Sequence, residues 1–127
     1  MVTSQTDLLL WLLARIKVKG FDSIKQYSSE LLAILLQNDK GNWSCFLCSK
    51  ENRIKVIEND GVDILLQVLA SYKRRDPSEG DETEMVENIF DCLCSLLLEN
   101  ESKDKFVSSE GFELMILMLK YVDIVKY

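Results

Sequence analysis

Histidine is missing from all 127 residues. The commonest general base and metal ligand is therefore absent, and Ser-His-Asp or Cys-His catalysis is excluded within this chain. There is one proline and five glycines, which leaves room for long helices. No Gly-rich phosphate loop occurs, neither a GxGxxG nor a GKS string. The apolar run 8–13 is short and follows "MVTSQTD", which carries no basic residue, so it fails as a secretory signal. No stretch is long enough to span a bilayer. Four cysteines without histidine describe a reducing compartment more than a disulfide framework.

What the chain does have is an internal echo. "ENRIKVIENDGVDILLQVLA" (51–70) and "ESKDKFVSSEGFELMILMLKY" (101–121) align when Gly61 is laid on Gly111. Arg53 then meets Lys103, Val56 meets Phe106, Leu65 meets Met115 and Leu69 meets Leu119. Each copy reads as a short helix, a glycine break at the corner, and a longer apolar helix. Upstream, "YSSELLAILLQN" (27–38) matches "IFDCLCSLLLEN" (89–100), but at an offset of 62 rather than 50. The twelve residues 39–50 have no counterpart, and read as an insertion in a loop between helices. A helical repeat of this length implies an all-α solenoid of the armadillo or HEAT type, about two repeats long. It forms a single domain over 1–127, with a first repeat over 6–74 and an incomplete second over 82–125.

Periodicity predicts helices over about 6–18, 22–38, 50–59, 62–73, 82–99, 102–107 and 112–125, with an exposed loop at 74–83. Apolar residues at spacings of three and four place Leu8, Leu9, Leu12, Leu13 and Ile16 inward on the first. The same rule selects Ile24, Tyr27, Leu31, Leu32, Ile34 and Leu35 on the second. Later helices bury Ile54, Val56 and Ile57, then Ile64, Leu65, Val68 and Leu69. The fifth buries Val86, Ile89, Phe90, Leu93, Leu96 and Leu97. A solenoid slice leaves apolar ends, for which Leu8, Leu9 and Trp11, and Met115, Met118 and Tyr121, are the candidates. Self-association through these ends is therefore expected.

Charge is unevenly spread. Residues 1–75 carry +3, residues 76–113 carry -10 and residues 114–127 carry +1. Such a block disfavours direct nucleic-acid binding and favours basic partners, although a solvated helix face with a charged loop is the favoured explanation. Glu82, Glu84 and Glu87 suit a helix start; glycosidase chemistry would also need a pocket around them. Cys45-Phe-Leu-Cys48 is the one pattern suggestive of metal or redox work. Structural zinc needs four ligands, and Cys92 and Cys94 diverge on one helix, so an incidental loop sequence is favoured. Trp43, in the insertion, is a candidate exposed anchor.

The strings "SELLAILLQN", "NDGVDILLQ", "MVENIFDCLCSLL" and "EGFELMILMLK" closely resemble the beta-catenin-like family of nuclear, spliceosome-associated armadillo proteins. The likeness is to a truncated, plant-like member and covers most of 6–120. It implies a non-enzymatic scaffold in the nucleus, without cofactor, metal or membrane, that docks splicing-associated proteins through their basic segments. By the same resemblance, peptide grooves lie along the helices 62–73 and 112–125. Outward residues there are Asp63, Gln67, Ser71 and Glu113; Glu79, Asp81, Glu82 and Glu84 of the acidic block complete the candidate partner surface. No Trp and Asn ladder of import receptors is present. Removing residues 41–50 restores the join seen in the family, so an origin in alternative splice-site use or in a gene-model error is expected. Two other readings stay open: a truncated product with no independent role, and a Cys45/Cys48 metal or redox module.

Overall fold

A computed structural model of the chain describes residues 5–37, 49–78 and 80–126, with side chains over 7–37, 50–78 and 80–120. Cys45, Cys48, Trp43 and most of the expected insertion lie outside these residues, as do the side chain of Tyr121 and all of Glu79. Among the described residues there are seven helices and no strand: α1 (Gln5–Lys17), α2 (Ser23–Leu36), α3 (Ser49–Glu58), α4 (Gly61–Ala70), α5 (Gly80–Leu96), α6 (Asn100–Ser108) and α7 (Gly111–Lys126). The expected all-α solenoid is observed. Two residues of the expected loop, Ser49 and Lys50, are already helical.

α1 is amphipathic as its leucine spacing requires, with Leu9, Leu12, Leu13 and Ile16 buried. Leu9 is thus core rather than an exposed end. Gly20, at φ +89°, ends the run in a conformation that costs glycine little. Lys25 Nζ reaches back to the Val18 and Gly20 carbonyls at 2.8 and 2.9 Å, satisfying acceptors of the connection between α1 and α2. Asp22 caps α2 by accepting from the Lys25 amide at 2.8 Å.

α2 overturns the expectation about its faces. Leu32 and Leu35 are buried, but Ile24, Tyr27, Leu31 and Ile34 are exposed, while Ser28 and Ser29 are buried. The reason is α5, which packs along α2 more extensively than any other pair of helices meet. Small side chains at Ser29 and Ala33 let α5 approach. Asn88 Nδ2 donates to Ser29 Oγ at 3.2 Å, and Ser29 Oγ donates to the Gln26 carbonyl at 2.6 Å. Polar atoms can be buried there because they are paired. Cys92 Sγ sits 3.9 Å from the Ser29 carbonyl, and burial pushes its thiol up. It is a packing residue; Cys94 is exposed.

The two corners are alike, each with its glycine opening the longer helix. Asp60 and Glu110, not the glycines, take the left-handed conformation, at φ 63° and 62°. Gly61 and Gly111 are required by close approach: a Cβ would lie 2.2 Å from Val56 Cγ1 at one and 2.5 Å from the Phe106 ring at the other. Between the copies runs one buried ion pair, Arg53 Nε to Glu99 Oε2 at 2.7 Å. Arg53 Nη1 also donates to the Leu36 carbonyl at 3.2 Å.

Candidate functional site

α4 and α7 lie side by side with much less contact than α2 and α5, and the space between them is an open groove of about 400 Å³. Its walls carry Asp63 and Gln67 from α4, Lys73 from the turn after it, and Glu110 and Glu113 around the start of α7. Leu66, Ala70, Leu114 and Leu117 form the apolar floor. Ser109 Oγ donates to Asp63 Oδ1 across the two copies, holding the mouth together. Three carboxylates near an apolar floor suit a chain with cationic side chains and aliphatic stems.

A second groove, of about 330 Å³, adjoins the first on the far side of Gln67. Lys17, Lys19, Lys25 and Arg75 make it basic, with Ser71 and Tyr72 from the turn that follows α4. The α4 surface is thus flanked by grooves of opposite sign.

The sequence-selected residues divide accordingly. Asp63, Gln67 and Glu113 meet in the first groove; Ser71 and Gln67 line the second. Asp81 and Glu84 are exposed on the first turns of α5 and line neither. Glu79 lies outside the described residues. Glu82 is a correction. It is buried, 4% exposed, and accepts from Tyr72 Oη at 2.6 Å and from the Ser78 amide and hydroxyl at 2.7 and 2.8 Å. It ties the 71–78 turn to α5 and is unavailable to a partner. Sequence reasoning missed Glu110 and the lysines of the second groove. Glu110 could have been found, because it precedes the aligned glycine as Asp60 does.

Burial alone would raise the Glu82 carboxyl, but the hydrogen bonds from Tyr72 and Ser78 and the charge of Arg75 outweigh it and hold it below its ordinary 4.5. Tyr72 moves the other way: burial, then the hydrogen bond and charge of Glu82, push it up to about 12. The depressed Glu82 contributes stability above its unfolded value, and that contribution is lost as pH falls through the folded value. Glu82→Gln should therefore cost about 1–3 kcal/mol at neutral pH and flatten the acid limb of stability below 4.5. Urea unfolding of both proteins from pH 7 to 3 checks this; parallel acid limbs would count against it.

The family model described as "Catenin-beta-like, Arm-motif containing nuclear" matches residues 1–127. The chain belongs to the catenin-beta-like family. It is 47% identical over 118 residues to beta-catenin-like protein 1 of Homo sapiens and of Mus musculus, covering 92% of this chain and 19% of each relative. A beta-catenin-like protein 1 homolog of Schizosaccharomyces pombe is 42% identical over 122 residues, covering 94% of the chain and 20% of that protein. The chain thus spans about a fifth of the length of the curated relatives it matches. Armadillo motifs fit the helical stack seen here and suit protein–protein interaction in general. Among the described residues, no helix of this catenin-beta-like chain is long and apolar enough to cross a membrane, and no group of three potential metal ligands occurs.

Proposed function

We propose that the chain is a non-enzymatic docking surface of a nuclear, splicing-associated armadillo protein. Its α4–α7 groove takes a basic segment of a partner protein. The observation that carries this is the convergence of Asp63, Glu110 and Glu113 around the Leu66, Ala70, Leu114 and Leu117 floor. Carboxylates steer and orient a cationic chain, and the floor accepts the stems of its lysines or arginines. The nuclear part of the reading rests on the family description.

Fluorescence anisotropy with a labelled Lys/Arg-rich peptide tests it. Reversing Asp63 and Glu113 to lysine should cost about 2 kcal/mol, roughly thirtyfold in Kd. The difference should shrink as salt is raised. Equal affinity of wild type and Asp63→Lys/Glu113→Lys for the peptide would refute the groove as the docking site.

A further inference from the structure

Of all the serines and threonines in the chain, only Ser4 and Ser78 have a carboxylate three residues further on, Asp7 and Asp81. Ser4 lies outside the described residues. Ser78 follows the chain's one proline and is exposed, in the turn that leads into α5. Asp81 and Glu84 are exposed on the first turns of α5. The hydroxyl is thus followed by carboxylates that a cationic enzyme cleft can read. The same hydroxyl is one end of a latch. Glu82 Oε1 accepts from the Ser78 amide at 2.7 Å and from Ser78 Oγ at 2.8 Å, while Oε2 accepts from Tyr72 Oη at 2.6 Å. Arg75 Nη2 stands 3.7 Å from that second oxygen, and its guanidinium lies 4.4 Å over the Tyr72 ring. Tyr72 and Glu82 are buried, so Ser78 is the end of the latch that faces solvent.

We propose that Ser78 is a phosphorylation site for an acid-directed serine kinase, and that its phosphate opens this latch. Ser78 Oγ attacks the γ-phosphorus of ATP; the Oγ–P bond forms as the bond from that phosphorus to the bridging β-phosphate oxygen breaks. ADP leaves, and the hydroxyl proton passes to the kinase's catalytic carboxylate. The phosphoserine carries about -1.5 to -2 charges at pH 7, and its Oγ has no hydrogen left to donate. Glu82 loses one hydrogen bond and gains a like charge beside it. Two attractions oppose that repulsion: the charge of Arg75, and the amide dipoles at the start of α5. Both lie in solvent, since Gly80 is exposed and the Arg75 side chain is 53% exposed, whereas that of Glu82 is 5% exposed. The repulsion is the least screened of the three, so Glu82 withdraws from Ser78. Arg75 turns to the phosphate, leaving Tyr72 and with it the second groove, whose positive charge it helps supply. None of this depends on what the α4–α7 groove binds.

The test treats the full chain with purified casein kinase II and ATP. Ser4→Ala is carried throughout, so that the readouts report on Ser78. Tandem mass spectrometry should place a phosphate on Ser78. Asp81→Lys should slow that labelling at least tenfold; Asp81 is exposed, so circular dichroism should show the variant folded as the parent is. The phosphorylated chain should melt about 5 °C below the unmodified one. In Glu82→Gln the same phosphate should lower Tm by less than half as much, because the neutral amide removes the repulsion and can donate to the phosphate. The first three readouts do not need that last variant to fold. No phosphate on Ser78, a rate indifferent to Asp81→Lys, an unchanged Tm, or an equal drop with and without Glu82 would each overturn the proposal.

Discussion

Arg53→Ala is expected to destabilise the chain by about 3–5 kcal/mol, the range for removing one partner of a buried ion pair. The side chains of Arg53 and Glu99 are 7% and 10% exposed, and their 2.7 Å contact joins the start of α6 to α3. Removing the guanidinium strands the Glu99 carboxylate in a site that cannot hydrate it. It also frees the Leu36 carbonyl at the end of α2, which Arg53 Nη1 satisfies. The loss should lower Tm by roughly 10 °C or more. The double variant Arg53→Met/Glu99→Leu separates charge burial from packing. An apolar pair of similar volume is often as stable as the ion pair it replaces, so the double variant should unfold close to wild type. If Arg53→Ala alone unfolds within about 1 kcal/mol of wild type, the pair is too hydrated to act as described.

The helices were legible because each carries its own period and its own stop. Gly20 and Gly61, and the polar stretch 74–79, mark ends that packing does not move. The inward face of α2 was not legible, and the reason is the stack itself. Ile24, Tyr27, Leu31 and Ile34 have the same spacing as the buried stripe of their counterparts Val86, Ile89, Leu93 and Leu96, yet are exposed. In α2 the polar edge bearing Ser28 and Ser29 is the side that α5 covers. A helix with neighbours on two sides has no single apolar face for periodicity to find. Glu82 was misread for a different reason. Its burial depends on Tyr72, ten residues earlier, and on Ser78, and a charge count sees neither. The groove was partly legible: Asp63, Gln67 and Glu113 follow from alignment of α4 with α7. Arg53 and Lys103 were matched in the same alignment, but Glu99, the partner of Arg53, could be recognised only once the helices were packed.

Gly61→Ala should cost about 3 kcal/mol, the upper end of what overpacking costs, and Gly111→Ala about 1. The two corners share a geometry but differ in what an added methyl meets. At Gly61 it would lie 2.2 Å from Val56 Cγ1 and 2.6 Å from the Val56 carbonyl oxygen. The side chain can turn aside, but the carbonyl moves only if the last turn of α3 opens. At Gly111 the nearest atoms all belong to the Phe106 ring, at 2.5 and 2.6 Å. That ring stands edge-on to Phe112, with centroids 5.1 Å apart at 87°, and borders an open apolar groove of about 480 Å³ that Phe90, Leu97 and Met115 also line, so it can yield more easily than a helix carbonyl. Val56→Ala should therefore rescue Gly61→Ala only in part, since the carbonyl remains, whereas Phe106→Leu should remove most of the added strain at Gly111. Thermal unfolding of the singles and doubles decides it. Equal costs at the two glycines, or full rescue by Val56→Ala, would mean that the α3–α4 corner yields as a whole. The Gly61 variant should also loosen the groove, because Asp63, two residues into α4, takes its position from that corner, and the Ser109 hydrogen bond to it spans the two copies.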